Sequence, residues 1–162
     1  MAGVSALTQP FDPGKAMSST LGADPAIWAG PRRGAILVIE DRDDVRQGLA
    51  QLLELHGFLV SDARDGDAAL QQLMSDPDGF ALVLLDLMLP GAIGGRDVRA
   101  RQLAHPVLSA VPTIVLTASD LDQRERVGLR PDAWLDKPFR FDDLLELVKR
   151  YVVPEGSGLQ AE

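Results

Sequence analysis

The sequence predicts an α/β protein in which a five-stranded parallel sheet is doubly wound, with helices on both faces. Apolar, β-branched runs alternate five times with helix-periodic segments. Two of those runs, 35–39 and 80–85, are apolar at every position, as strands buried on both faces are. Glu40 and Asp41, Asp86, Thr117 and Lys137 each stand just past such a run. In an open sheet the carboxyl ends of parallel strands face one crevice, so residues that end separate strands meet however far apart they lie in sequence.

The first run, Ala35-Ile36-Leu37-Val38-Ile39, ends at the acidic pair Glu40-Asp41. Val45, Leu49, Leu52, Leu53 and His56 then recur at helical spacing, and Gly57 stands where a left-handed C-cap belongs. Phe58-Leu59-Val60 reads as a second short strand, and Leu70, Leu73 and Met74 mark a helix over about 67–74 closed by Pro77. The third strand, Phe80 to Leu85, delivers Asp86. Gly91, Gly94 and Gly95 make the following loop, a weaker helix covers about 95–104, and Val111 to Leu116 forms a fourth strand that delivers Thr117. A short charged helix over about 120–128 precedes the brief fifth strand Ala133-Trp134-Leu135 and the segment Asp136-Lys137-Pro138. Phe141, Leu144, Leu145, Val148 and Tyr151 are the apolar stripe of the last helix. The alternation calls for right-handed crossovers.

Residues 1–33 hold Pro10, Pro13, Gly14, Pro25 and Pro31 without a sustained period, so a loosely ordered extension is expected, with Phe11 and Trp28 incidentally exposed. The ordered domain is expected over 34–153. The remaining 154–162 are expected to be a flexible tail too short for an output domain, so the chain reads as a stand-alone unit.

Composition narrows the function. At 162 residues, 46% of them hydrophobic, the chain can build one core. A formal charge of −8 argues against a direct nucleic-acid footprint, which needs clustered Lys and Arg. The absence of cysteine removes disulfides, thiolate nucleophiles and Cys-ligated zinc. No run is long enough to cross a bilayer, so a soluble, cytoplasmic protein without membrane insertion is expected.

Carboxylates brought together at the strand ends would repel one another unless a divalent cation sat among them, which points to Mg²⁺. An aspartate at the pocket floor, as Asp86 would be, can act as a nucleophile toward phosphorus and form an acyl phosphate when the charge on the transferring oxygens is neutralised. Mg²⁺ held by Asp41 and Asp86, with Glu40 acting through a water and the backbone carbonyl of Met88 filling a position, would supply that neutralisation. The Lys137 ammonium adds a second positive charge and the Thr117 hydroxyl a hydrogen bond to a phosphoryl oxygen.

These residues resemble the response regulator receiver domains of two-component signalling. The resemblance runs over about 34–153 and rests on Ile-Glu-Asp at 39–41, Leu-Leu-Asp-Leu-Met-Leu-Pro-Gly at 84–91, Val-Leu-Thr-Ala-Ser at 115–119 and Asp-Lys-Pro-Phe at 136–139. It implies the flavodoxin-like strand order 2-1-3-4-5, which chemotaxis receivers share with flavodoxin. It also implies a cis Lys137-Pro138 bond and a phosphoryl group received at Asp86 from a sensor histidine kinase or a histidine phosphotransfer protein. The altered surface would then bind or release an unknown downstream protein, homodimerisation being one outcome. The resemblance implies that the chain is not an enzyme in its own right, although it would contribute the chemistry of its own phosphorylation and dephosphorylation.

Two departures stand out. Trp134 occupies a position where the family often has Tyr or Phe that swings inward on phosphorylation, and the interval from Thr117 to Lys137 is short, with Gly128 and Pro131 interrupting it. Partner choice is therefore expected to differ at the fourth helix and fifth strand, with Arg124, Arg126 and Trp134 contributing. The resemblance also places Met88 and Ser119 beside the water that attacks the acyl phosphate. A thioether can neither orient nor deprotonate water and a serine does so weakly, so slow intrinsic dephosphorylation is expected.

Other readings fit less well. A haloacid dehalogenase-like phosphatase needs a second Asp two residues after the nucleophile, where Met88 stands. A flavodoxin-like cofactor binder needs a phosphate loop that Asp41-Arg42-Asp43-Asp44 would repel. A receiver fold serving only as a phosphorylation-independent binding module is the alternative that stays open. Asp43 and Asp44 read as caps or first-turn charges, and His56 and His105 as structural or exposed.

Overall fold

The computed structural model describes residues 30–118 and 121–156. Phe11, Trp28 and Ser119 lie outside the described residues. Five parallel strands, β1 (Ala35–Ile39), β2 (Val60–Ala63), β3 (Phe80–Asp86), β4 (Thr113–Thr117) and β5 (Ala133–Asp136), pair in the order β2-β1-β3-β4-β5. Helices α1 (Asp43–Leu55), α2 (Gly66–Ser75), α3 (Gly95–Ala104), α4 (Gln123–Leu129) and α5 (Phe141–Tyr151) connect and cover them. Among the described residues no helix is long and apolar enough to cross a membrane.

Strand residues alternate between two cores, because successive side chains leave a sheet on opposite faces. Leu37, Ile39, Val83 and Leu85 meet Leu70, Leu73 and Val98 of α2 and α3 on one face. Ile36, Val38, Leu82 and Leu84 meet Leu49 and Leu53 of α1 and Leu144, Leu145 and Val148 of α5 on the other. β1 and β3 are buried along nearly their whole length, which is why the two read as continuous apolar runs.

Two strands begin later than the sequence suggests. Phe58 is buried, and its N–H closes α1 on the carbonyl of Leu53, so β2 is not 58–60 but Val60–Ala63, starting where Val60 pairs with Ile36. As an edge strand it tolerates the polar Ser61 and Asp62, and that hides it from a search for apolar runs. β4 begins at Thr113 rather than Val111. Val111 closes a 3-10 turn over Leu108–Ala110, and Pro112 has no N–H to give a ladder. The fourth helix starts at Gln123, behind an Asp122 cap that accepts from the Glu125 N–H, not near 120.

Main-chain bonds also reach past the expected domain limits of 34 and 153. Arg32 donates to the Tyr151 carbonyl and accepts from Val153, and Glu155 donates to the carbonyl of Gly57, whose φ of +86° ends α1. Gly95 opens α3 where a Cβ would lie 2.5 Å from the Asp86 carbonyl oxygen. Only a residue without a side chain lets α3 start so close to the end of β3.

Candidate functional site

β1, β3, β4 and β5 end side by side, and their last residues form one acidic cleft. Glu40 follows β1 and is fully buried; its N–H donates to the Ala63 carbonyl of β2. Asp86 closes β3 and is 4% exposed, whereas Asp41 reaches solvent. One oxygen of each carboxylate lies within 4.8 Å of the others. Three carboxylate oxygens gathered this closely are the donor set that a hard cation such as Mg²⁺ takes. Oxygen donors without nitrogen or sulfur suit Mg²⁺ over softer metals.

Lys137 follows β5 and points into the same cleft. Its Nζ lies 2.6 Å from Glu40 Oε2 and 3.3 Å from Asp86 Oδ2. Burial alone would discourage the ammonium, but the hydrogen bond to Glu40 and the charges of Asp86 and Glu40 outweigh it and hold the Lys137 pKa above its ordinary value. Burial pushes the Glu40 carboxyl up and the Asp86 charge adds to this, while Lys137 and the Arg42 N–H oppose. The cleft is thus a crowded pair of carboxylates kept in place by one cation.

The remaining partners are main-chain groups. The Met88 N–H donates to Asp86 Oδ1 at 2.9 Å, and the Met88 side chain is 68% exposed at the mouth of the cleft. Thr117 is buried as the last residue of β4, next to β3, and its carbonyl accepts from the Lys137 N–H at 2.7 Å. The hydroxyl-bearing strand end thereby fixes where the lysine enters. The Lys137-Pro138 peptide is cis.

Of the residues singled out from sequence, Glu40, Asp41, Asp86, Met88, Thr117 and Lys137 converge here. Trp134, Arg124 and Arg126 do not. They lie on the α4–β5 face, where the Arg126 guanidinium sits 4.8 Å above the Trp134 ring and 3.9 Å from Asp136, and Arg124 is exposed. Asp44 pairs with Arg42 at the surface, His56 Nδ1 contacts the Leu52 carbonyl, and His105 Nδ1 accepts from the N–H groups of Val107 and Leu108, so all three are structural.

Sequence reasoning missed Arg46. It is buried on α1, where Nη1 donates to the Glu40 carbonyl at 3.0 Å, Nε to Asp62 at 2.7 Å and Nη2 to Asp43. The signal was present: Arg46, Leu49 and Leu53 share one helical stripe, and Asp43 precedes Arg46 by three residues. Replacing Arg46 with Met has two opposed effects. It frees the negative charges of Asp43 and Asp62, which favours a cation, and it releases the Glu40 carbonyl. Both freed acids are largely exposed and screened over about 8 Å, so the loss of positioning wins. Mg²⁺ affinity should fall about tenfold, the lower end for loss of a supporting shell, as titration calorimetry would read.

Comparison with known proteins identifies a family. Residues 36–149 match the response regulator receiver domain. The chain is 37% identical over 117 residues to the sensory transduction protein RegX3 of Mycobacterium tuberculosis, covering 71% of this chain and 49% of that protein. It is 35% identical over 116 residues to the transcriptional regulatory protein CpxR of Escherichia coli, covering 70% and 47%. It therefore spans about half the length of these curated relatives. Among solved structures, the response regulator TrrA of Thermotoga maritima in complex with Mg²⁺ and beryllofluoride superposes with a TM-score of 0.62 at 30% identity, covering 72% of this chain and 96% of that one. The chemotaxis protein CheY4 of Vibrio cholerae, at 23% identity, shares the fold with a TM-score of 0.66, covering 75% and 100%. With four strand-end motifs converging in one acidic cleft and the family match running over the same residues, the chain belongs to the response regulator receiver domains of two-component signal transduction.

Proposed function

We propose that the chain accepts a phosphoryl group on Asp86, in a Mg²⁺-dependent reaction, from a sensor histidine kinase or a histidine phosphotransfer protein, and that the acyl phosphate switches a protein-binding surface. The observation that carries this reading is the shared ammonium: Lys137 rests between Glu40 and Asp86, closer to Glu40. Its bond to Asp86 is the longer of the two, so the ammonium holds the nucleophile loosely and is near enough to meet a phosphoryl oxygen there.

Asp41, Asp86 and the Met88 carbonyl would hold the metal, with Glu40 reaching it through a water, since both Glu40 oxygens are already engaged by Lys137 and the Arg42 N–H. When bound, Mg²⁺ would neutralise charge on the transferring oxygens. An Asp86 carboxylate oxygen forms the new O–P bond as the donor's P–N bond breaks, and the electron pair leaves with the imidazole. The Met88 N–H orients the carboxylate, Lys137 stabilises the charge that develops, and the Thr117 hydroxyl offers a hydrogen bond to the transferred group. No general base is needed for acceptance, because a carboxylate nucleophile, unlike a hydroxyl, carries no proton to remove. In this sense the chain is a phosphoacceptor that catalyses its own modification and not a turnover enzyme.

Trp134 under Arg126 is the readout on the α4–β5 face, where Arg124 is exposed and Arg126 pairs with Asp136, and both arginines would meet the protein partner. The Arg124→Ala, Arg126→Ala double variant should weaken partner binding at least tenfold in a pull-down or calorimetric titration with the cognate partner. Direct contact with nucleic acid is not part of the role proposed for this domain. Hydrolysis of the acyl phosphate should be slow, because Met88 offers the attacking water no acceptor. Phosphoryl lifetimes of minutes or longer in the purified chain are expected, and loss within seconds would contradict this.

Beryllofluoride tests the switch. In the presence of Mg²⁺ it should change Trp134 emission in the native chain and leave Asp86→Asn unchanged. An equal response in the two would favour the phosphorylation-independent binding module.

A further inference from the structure

Arg99 is 3% exposed on α3, the most deeply buried cation among the described residues, and it takes no part in the cleft. Nε donates to the Leu129 carbonyl at 2.9 Å, Nη2 to the Arg130 carbonyl at 2.6 Å, and Nη1 to Gln102 Oε1 and Thr113 Oγ1 at 2.8 Å each. These acceptors are all uncharged. Leu129 ends α4, and Arg130 behind it is left-handed with φ of +43°, so the guanidinium meets the carbonyl end of that helix, where the macrodipole favours a cation.

The network continues from there. Gln102, fully buried, donates through Nε2 to the Leu108 and Val111 carbonyls and to Thr113 Oγ1. The Thr113 N–H donates to Asp132 Oδ2, and the Asp132 N–H donates to the Thr113 carbonyl. One side chain thereby ties α3, the start of β4, the end of α4 and the turn into β5. Burial lowers the Arg99 pKa to about 10, with Arg130 adding to this and Asp132 opposing, so the group stays charged near neutrality. Stability alone gives little reason for such a group, since well-packed apolar replacements of buried ionic groups are often neutral or stabilising.

The tie is confined to one end of α4. Toward its other end the link to α3 is Arg96 to Glu125, an exposed ion pair of the kind that contributes little. Thr117 and the acidic cleft lie on the side from which the chain enters α4.

We infer that Arg99 is a positioning residue that holds the carbonyl end of α4 and the entry to β5 fixed, so that a signal arriving from Thr117 reorients the amino end of α4 about this held point. The inference rests on the proposed phosphoacceptor role for the signal, while the hold itself exists without it. Lysine can keep the charge at this position but cannot donate along four directions.

The test uses the full chain as native protein, Arg99→Lys and Thr113→Val, each in a Trp28→Phe background, with amide exchange and Trp134 emission read with and without Mg²⁺ and beryllofluoride. Without ligand, Arg99→Lys should exchange amides of 123–130 at least tenfold faster, with 35–39 and 141–151 unchanged. Its beryllofluoride-induced change in Trp134 emission should shrink at least fivefold at equal occupancy. Thr113→Val removes one acceptor and should show about a threefold local increase, which keeps the test open should Arg99→Lys fail to fold. Unchanged exchange over 123–130, a uniform rise across all helices, or a full emission change in Arg99→Lys would overturn the inference. No beryllofluoride response in the native chain would count against the phosphoacceptor reading alone, because the exchange measurement without ligand still decides whether Arg99 holds α4.

Discussion

Replacing Lys137 with Met should lower the stability of the metal-free protein by about 3 kcal/mol, since removing one partner of a buried ion pair leaves uncompensated charge behind. Glu40 and Asp86 are both deeply buried and share this ammonium at 2.6 and 3.3 Å. Without it, the burial and Asp86 charge that already push the Glu40 carboxyl up act unopposed except by the Arg42 N–H. For a domain of this size the loss corresponds to a fall of roughly 10 °C in Tm. Mg²⁺ should offset much of that loss, and its affinity should rise at least tenfold, because the metal and Lys137 compete for the same carboxylates. Phosphoryl uptake should nonetheless fall by about a hundredfold, in the range for losing one charge-stabilising donor. Thermal unfolding with and without Mg²⁺, together with a labelling time course, reads all three effects. Unchanged Mg²⁺ affinity would show that the lysine and the metal do not share the site.

Asp86→Asn should act with the opposite sign on stability. The amide oxygen can still accept from the Met88 N–H, and Lys137 keeps its 2.6 Å bond to Glu40. One of two crowded negative charges is gone, along with its upward push on Glu40. Tm should therefore stay level or rise slightly. Mg²⁺ affinity should drop at least tenfold with the loss of a carboxylate ligand, and phosphoryl uptake should vanish, since an amide cannot form the acyl phosphate. The contrast matters more than either variant alone. A site built for stability would suffer from both changes, whereas one built around a reactive carboxylate loses function with Asp86→Asn and keeps its fold.

What the sequence revealed and what it hid have separate physical origins. Glu40, Asp41, Asp86, Thr117 and Lys137 were legible because a parallel sheet converts strand-end positions into spatial neighbours, so that order along the chain suffices to place them. β1 and β3 were legible from continuous apolar runs. β2 was misplaced because it is an edge strand that carries the polar Ser61 and Asp62, the latter exposed and bonded to Arg46, and the more apolar Phe58 closes α1 instead. Arg46 and Arg99 were missed for one reason: a helical arginine looks solvated until its partners are known, and those of Arg99 on α4 and its cap lie 30 and 31 residues away. The weak apolar pattern of α3 has the same cause, since its buried face consists of Gly95, Val98, Arg99 and Gln102.

The central claim is that Asp86 takes a phosphoryl group with the help of Mg²⁺, and intact mass after incubation with acetyl phosphate tests it most directly. A single phosphoryl adduct should form with Mg²⁺ present and be absent from Asp86→Asn and from a metal-free sample. An adduct that persists in Asp86→Asn, or a native chain that neither gains an adduct nor responds to beryllofluoride at saturating Mg²⁺, would contradict it.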